Sequence, residues 1–565
     1  MAVGGLDQAL TDLKSNKQKW AQLALKYKLD YLDRVRVFVF AEARTWVDAA
    51  CQAKGIAVGS PLAGEEWLSG PYAVLTWINA VQDTLTDVAA DREPMKKFTV
   101  RQRSDGQTVV TVYPHGRQER LLLNGVSAEV WMQPGTTPAS LRNEVATFYK
   151  RPSHDGRLAL VLGAGNIASI PALDVLYKLY AHGEVVILKL NPVNAYLGPI
   201  FERAFAPFVA DGFLRFAHGA GDVGEYLTRH QAVETIHITG SEHTHDDIIY
   251  GSGSAGTVRK ARDERLLAKP ITSELGGVGP TIVVPGPWNK ADFEFQAEHV
   301  ATQKLHNNGF NCIASQVLVL PEGWDGSSVF TDAVRQTLSA APARPSYYPG
   351  SDDRQAAAVA HHAAAETLGG ARTLILDVDP NDRGAYAFNE EFFAPVVATT
   401  RLPGRDAAQF LRNAVEFANE TLHGTLGANI IIHPKTARAL GPVLDEAISA
   451  LRYGTIAINA WTGVGYLTPR ATWGAFPGHP INDAQSGIGV VHNALLFDRP
   501  EKTVVRGPFR RFPASVAGRG TTILPRPPWF VTNKTADVTG ERLTELVADG
   551  KWWHVPGVLV SALRG

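Results

Sequence analysis

The chain has 565 residues, 45% hydrophobic and 20% charged, with a formal net charge of −1. That length can build several buried cores without covalent staples, and the balanced charge excludes any electrostatic argument for a nucleic-acid or acidic-membrane partner. Two cysteines, Cys51 and Cys312, exclude a disulfide framework; with no apolar signal core in the first 20 residues and no run long enough for a membrane span, a cytoplasmic location is expected.

Trp20, Leu23, Tyr27, Leu32, Val35 and Phe38 recur at helical spacing, continued by Val39, Ala43 and Trp46, and predict helix over 6–55. A Gly/Pro-punctuated break at 55–70 precedes a second helix from about Pro71 to Val88. Residues 98–134 change character: FTVRQ, TVVTVYPHG and SAEVWMQPG are β-rich and separated by turns, like a meander. From Leu158 the pattern is strand, helix, strand: LALVL, ALDVLYKLYAHG, EVVILKL, then the strands FLRFAHG and ETIHIT, which predicts a parallel sheet with crossover helices. A second α/β stretch runs through PTIVVPG, SQVLVLP, RTLILDV and GANIIIHP. Beyond Phe509 the chain turns rich in Pro, Gly and basic residues, as PASVAGRGTTILPRPPWFVTNK, and reads as an extended tail. Trp529, Phe530, Trp552 and Trp553 in that tail predict burial against the body or a partner subunit, since exposed aromatics would form an adhesive patch.

Two glycine loops spell a dinucleotide fingerprint: Gly163, Gly165 and Ala168 after LALVL, and Gly219, Gly221 and Gly224 after FLRFAH. Glycines at this spacing let backbone approach a pyrophosphate at a helix N-terminus. The strand after the first loop ends in Lys189 and Asn191 and lacks the acidic residue that would bind ribose hydroxyls, so tight turns remain the competing reading.

Cys312 lies in HNNGFNCIASQVLVLP, between a glycine-bearing loop and a strand. A lone cysteine is ordinarily a small buried hydrophobe. Here a carboxylate, Glu274 in KPITSELGGVGPTIVV, sits among small and apolar residues, 312 − 274 = 38 positions earlier. A nucleophilic thiol needs a lowered pKa, donors for a developing oxyanion, and a base for the second step. The cluster His237, His243, His245, Asp246 and Asp247 has metal-ligand chemistry but no second ligand group, so no metal site is expected. Cys51 falls within a helical apolar pattern and reads as packing.

Seven segments in order carry a family resemblance: GAGNIASIP, VVILKLNP, IHITGSE, SELGG, NNGFNC, EEFFAPV and GTIAIN. Together, over roughly residues 10–507, the chain resembles a divergent member of the aldehyde dehydrogenase superfamily. The resemblance implies an α/β fold of two Rossmann-like three-layer domains, cofactor-binding and catalytic, with a projecting β-rich oligomerisation arm and a C-terminal extension. It divides the chain into 1–273 (N-terminal helices, arm and NAD(P)-binding domain), 274–475 (catalytic domain), 476–508 (return to the cofactor domain and a strand that pairs with a neighbouring subunit) and 509–565 (the extension). It implies Cys312 as nucleophile, Asn166 with the Cys312 backbone N–H as oxyanion donors, and Glu274 as the base for hydrolytic water. Lys189, Gly240, Ser241, Leu275, Glu391 and Phe393 are implied as the set that holds NAD or NADP. The expected reaction is oxidation of an aldehyde to a carboxylic acid through a thiohemiacetal and a thioester, by a homodimer or dimer of dimers.

The sequence departs from the family at Phe310 (usually Gln), Ala394 (Gly), Gly165 (commonly Trp) and Pro192 (often acidic). The last removes a carboxylate that would repel a 2′-phosphate, so NAD and NADP stay open. The glycine-rich closing motif is only loosely present in WGAFPGHPINDAQSGIG. A CoA-acylating dehydrogenase or acyl reductase is the first alternative, opposed by Glu274, and a non-catalytic scaffold the second, opposed by the joint presence of Cys312, Glu274 and Asn166.

Overall fold

The computed structural model describes residues 3–151, 153–517 and 522–565; the part of the tail at 518–521 lies outside them. The predicted first helix is two, Val3–Ala21 and Leu25–Ala53, and the next runs Ala73–Ala89. Strands in chain order are β1 (Thr99–Gln102), β2 (Thr108–Tyr113), β3 (Ser127–Met132), β4 (Leu158–Leu162), β5 (Val185–Lys189), β6 (Leu214–Ala217), β7 (Thr235–Gly240), β8 (Ile271–Leu275) and β9 (Gly279–Val283). They continue with β10 (Ser315–Pro321), β11 (Ala365–Leu368), β12 (Arg372–Ile375), β13 (Val396–Leu402), β14 (Gly427–Ile431), β15 (Thr455–Ile458), β16 (Gly487–Ile488) and β17 (Pro500–Arg506).

One sheet has six strands in the order β16-β8-β7-β4-β5-β6, parallel except for β16. The continuous apolar runs of β4 and β5 follow from burial on both faces under crossover helices. Helix Ile170–Ala181, almost wholly buried, joins these two strands. The order reverses between β4 and β7, the switch point at which open α/β sheets bind ligands.

The other sheet has eleven strands, β1-β2-β3-β17-β15-β14-β9-β10-β13-β12-β11, with a parallel centre from β17 to β12. Only residues 276–278 separate the end of β8 from the start of β9. The C-terminal edge of the first sheet therefore faces the N-terminal edge of the second, and the candidate site lies in that seam.

The β-rich stretch expected as an oligomerisation arm lies at one edge of the eleven-stranded sheet. β1, β2 and β3 continue the eleven-stranded sheet of their own chain, with β17 antiparallel to β3 and parallel to β15. The strand expected to pair with a neighbouring subunit thus pairs within the chain, in the register Thr455↔Thr503 to Ile458↔Arg506. The physical reason is an otherwise open edge of β15, which the buried Thr503, Val504 and Val505 cover.

The tail is extended only in part. Its first stretch lies along helix Lys290–Leu305: Gln296 Nε2 donates to the Phe509 carbonyl (2.6 Å), Arg526 pairs with Glu298 (2.8 Å), and Phe530 stacks on Phe295 and His299. The rest forms helices Ala536–Asp549 and Val555–Ala562. Trp529 and Phe530 are buried as expected, but Trp552 and Trp553 are 53% and 68% exposed, because their short 3-10 turn sits at the rim where the chain leaves one helix for the next. Among the described residues no helix is long and apolar enough to cross a membrane, and no group of three metal-ligating side chains occurs.

The intrachain pairing has a direct check. In an Ile458→Cys/Arg506→Cys variant, oxidation is expected to give a crosslink that leaves the monomer mass unchanged on a non-reducing denaturing gel. A covalent dimer as the main product would show that a second subunit supplies β17.

Candidate active site

The parallel order of the six-stranded sheet puts the ends of β4 and β7 side by side. After β4 comes the loop with Gly163, Gly165 and Asn166; after β7 come Ser241 and helix Glu242–Tyr250, which Ser241 caps by accepting from the Thr244 N–H (3.2 Å). Glu274 is the penultimate residue of β8. Cys312 precedes β10 by two residues, after the turn His306–Gly309.

Cys312 is half-buried and lies close enough to Glu274 for each to shift the other's titration. Burial, then the nearby charges of Glu274 and Glu391, push the thiol well above its ordinary value. Burial likewise lifts Glu274 to about 7, the Asp174 charge adding to it, although the Cys312 thiol and the bond from Trp473 Nε1 (3.3 Å) oppose the rise. A carboxyl near 7 exchanges a proton readily with a thiol or a water at neutral pH.

The nucleophile turn is unusual in its backbone. Asn307, Asn308 and Gly309 all have left-handed φ, at 53°, 54° and 82°. Asparagine tolerates that region better than other non-glycine residues, and a Cβ at Gly309 would lie 2.6 Å from the Ala394 carbonyl. A buried charge cluster holds the turn. Lys54 Nζ donates to Glu66 (2.9 Å), to the Asn166 carbonyl (3.0 Å) and to Asn307 Oδ1 (3.2 Å). Asn307 Nδ2 and Tyr347 Oη donate to the same Asn166 carbonyl, at 3.1 and 3.2 Å. Glu65 accepts from the Asn307 N–H (2.9 Å) and from Arg344 (2.6 Å). Burial alone would raise Glu65, but the charges of Arg344 and His306 and these bonds outweigh it and leave the carboxyl below its usual range. Asn166 Nδ2 spends one hydrogen on the Phe310 carbonyl (2.9 Å), which orients the amide beside Cys312.

A cleft of about 1210 Å³ runs from the β5 end to the thiol. Asn166, Lys189, Gly240, Ser241, Glu274, Cys312, Glu391 and Phe393 all line it. Leu275 does not: its side chain is fully buried at the end of β8, behind the cleft. Both glycine loops reach the cleft, with Gly163 and Gly165 on one and Gly221 and Gly224 on the other. A Cβ at Gly165 would strike the Asn191 side chain at 2.7 Å, so that side chain takes the space a larger residue would need. At the thiol end, Glu391 Oε1 is buried without a hydrogen-bond partner, and burial lifts this carboxyl to about 8. An elongated cleft with a cation at one end, glycine turns and a helix N-terminus midway, and an unbonded buried acceptor at the other fits a dinucleotide.

Sequence reasoning missed several residues. Arg354, on helix Ser351–His361, lines the cleft and donates to the Phe393 carbonyl (3.2 Å), holding Phe393 at a left-handed φ of 39°. Trp473 contacts Glu274, although its motif had matched only loosely. Phe310 is fully buried and packs on Tyr347, Tyr348 and Phe393 at 5.1, 5.6 and 5.8 Å. An aromatic cluster thus stands where the resemblance implies a glutamine.

These features define a two-sheet α/β protein with a thiol and a carboxyl at the mouth of a nucleotide-type cleft. The aldehyde dehydrogenase family model matches residues 168–371. The chain is 26% identical over 362 residues to geranial dehydrogenase of Castellaniella defragrans, covering 57% of this chain and 68% of that one. It is 25% identical over 331 residues to 1-pyrroline-5-carboxylate dehydrogenase of Oceanobacillus iheyensis, covering 53% and 58%. The matches therefore span from about half to about two thirds of these relatives' own length. In fold, it is similar to an NAD-dependent aldehyde dehydrogenase from Sinorhizobium meliloti (TM-score 0.57, 18% identity, 89% of this chain and 86% of that one). It is also similar to aldehyde dehydrogenase C from Pseudomonas syringae, solved in complex with NAD+ and octanal (TM-score 0.56, 18% identity, 90% and 89%). The chain thus carries an aldehyde dehydrogenase family match over residues 168–371 and shares the fold of aldehyde dehydrogenases of known structure.

The buried cluster yields a stability test. Lys54→Met leaves Glu66 buried without its cation and is expected to cost about 3–5 kcal/mol in urea unfolding. Adding Glu66→Met is expected to recover a large part of that loss. A single variant as stable as the parent would show that Lys54 does not hold the turn.

Proposed function

We propose that this protein oxidises an aldehyde to a carboxylic acid with NAD or NADP, through a thioester on Cys312. The observation that carries the reading is the meeting of Cys312, Glu274 and Asn166 at one end of a dinucleotide-sized cleft. Lys189 would hold the adenosine ribose, Gly240 and Ser241 would pack beside the phosphates, Glu391 would accept from the nicotinamide ribose, and Phe393 would brace the ring. Leu275 acts from behind the cleft wall as packing.

The chain's own groups supply the proton and charge traffic. Glu274 accepts the thiol proton as sulfur bonds to the carbonyl carbon. The second hydrogen on Asn166 Nδ2 and the Cys312 backbone N–H stabilise the resulting oxyanion, in a site where burial makes such donors strong. A nicotinamide dinucleotide, when bound, brings a cationic ring to the cleft and accepts the hydride that the thiohemiacetal carbon releases, leaving a thioester. Glu274, its proton passed to solvent, then takes one from water; the hydroxide attacks the acyl carbon, the C–S bond breaks, and the acid leaves. The atoms balance as aldehyde, water and oxidised cofactor giving carboxylate, reduced cofactor and two protons.

Two free cysteines support a reducing, cytoplasmic setting. For the homodimer or dimer of dimers, the sheet edges at β1 and β11 are those a second copy would extend.

Cys312→Ala is expected to lower aldehyde oxidation by about a thousandfold or more while cofactor affinity holds, since the thiol forms the covalent intermediate. Glu274→Gln is expected to slow hydrolysis by about a hundredfold and leave a burst of reduced cofactor before a slow steady rate. Because the base form of Glu274 is the active one, the parent's hydrolysis should rise with pH through about 7, and the variant's should not. Unchanged turnover in Cys312→Ala would sink the mechanism, and strong acceleration of the parent by added CoA would replace water with a thiol acceptor.

A further inference from the structure

The thiol opens onto a second space besides the cleft. A narrow cavity of about 40 Å³ takes in Cys312, Ile170, Ile313, Trp461 and Trp473. Leu68 and Leu467 also stand in its wall, and the same two side chains line a larger cavity of about 220 Å³ beyond. The two spaces meet at those leucines. Leu467 is only partly buried and follows the short helix Thr462–Tyr466, so a rotamer change there would join them.

The larger cavity is built in large part by the C-terminal extension. Leu524, Trp529, Leu543, Leu546, Val558 and Leu559 face it, against helix Ala73–Ala89 and the 464–470 segment. Most of its polar side chains are already engaged: Arg470 pairs with Glu119 (3.1 Å), Asn79 Nδ2 donates to the Val547 carbonyl (2.7 Å), and Gln118 Nε2 to the Gly550 carbonyl (3.2 Å), while Thr539 Oγ1 and Arg470 Nε stay buried without a partner. What the chamber mainly offers a ligand is apolar surface.

We propose that this chamber receives the apolar tail of the substrate, and that the protein acts on aldehydes carrying a long hydrocarbon tail, with the C-terminal extension setting the length accepted. This rests on the reading of Cys312 as the nucleophile. A short aldehyde fits the small cavity alone. A longer one passes between Leu68 and Leu467, and each methylene buried beyond them gains about 0.8 kcal/mol, or about fourfold in affinity.

The test is a series of straight-chain aldehydes from propanal to dodecanal, measured as kcat/KM on the full chain. The expected result is a rise of up to about fourfold per methylene over the longer members, then a plateau. Leu543→Trp, which fills the chamber, should lower dodecanal oxidation at least tenfold and leave propanal within about twofold. Leu559→Phe, a milder filling, should shift the same way to a smaller degree and guards against a folding failure in the first variant. A chain-length profile that is flat, or one untouched by both variants, overturns the proposal. Calorimetric binding of decanoate to Cys312→Ala, with and without Leu543→Trp, separates the two readings. Binding that Leu543→Trp weakens at least tenfold supports the chamber even if no aldehyde is oxidised, in which case the catalytic reading alone fails. Binding unaffected by the filling overturns the chamber whatever the activity.

Discussion

Three residues, Gly276, Gly277 and Val278, fix the relation between the two sheets, and the site depends on that relation. A hand-over this short leaves β8 and β9 no freedom to separate, so the end of one sheet must abut the start of the next. The glycines are required by what crowds around them. A Cβ on Gly276 would lie 2.2 Å from the Glu391 carboxylate, and one on Gly277 would lie 2.9 Å from both the Gly424 Cα and the Ser486 hydroxyl. Ser486 ties the same junction, donating to the Gly276 carbonyl (2.9 Å) and accepting from the Thr425 N–H (2.8 Å). Glu274 lies one residue before this junction, which is how a strand residue of one sheet reaches a thiol at the foot of a strand of the other.

The electrostatics divide into two regions with opposite character. Behind the nucleophile turn, Lys54, Arg344, Glu65 and Glu66 form a buried set whose charges cancel, with multiple hydrogen bonds to each member. Such a set adds little net stability over a well-packed apolar alternative, but it fixes geometry, because losing any one member strands the others. In front of the turn, Cys312, Glu274 and Glu391 form no ion pair among the described residues, and burial holds all three toward their protonated forms, against the opposing charges of Lys304 and Arg354 on Glu391. The first region is rigid and the second is poised to move protons; Asn166, bonded through its carbonyl to one and its amide to the other, joins them.

The strands were legible in the sequence wherever both faces are buried, because runs such as LALVL and VVILKL have no other low-energy home than the middle of a parallel sheet. The Glu274–Gly276–Gly277 motif and the Asn307–Asn308–Gly309 turn were legible for a related reason: close approach and left-handed backbone restrict the residue types allowed. The pairing partner of β17 was not legible. A strand's alternation specifies its faces but not which edge it joins, or in which copy of the chain. The tail helices were obscured by the prolines before them, and Trp552 and Trp553 show that aromatic content does not by itself set burial. Lys54 and Arg354 lie far in sequence from Cys312 and belong to no local pattern, and Trp473 opens a motif that matches only loosely, so only the folded chain brings them to the site.

The extension beyond residue 509 is joined to this machinery at two points. Its first half lies along helix Lys290–Leu305, through Gln296, Glu298 and the Thr302 hydroxyl, which accepts from the Val531 N–H (3.2 Å). That helix runs directly into the turn carrying Asn307 and on to Cys312. Its second half packs on the short helix Ala63–Trp67, so tightly that a Cβ on Gly64 would lie 2.4 Å from Ala536 and one on Gly540 would lie 2.7 Å from Trp67. That helix supplies Glu65 and Glu66. The tail therefore braces both the element that delivers the thiol and the element that holds the turn beneath it, while its inner face walls the apolar chamber. The tail is in this way coupled to the site by packing, and a change in the chamber wall is felt at the supports of the nucleophile as well as along the path to it.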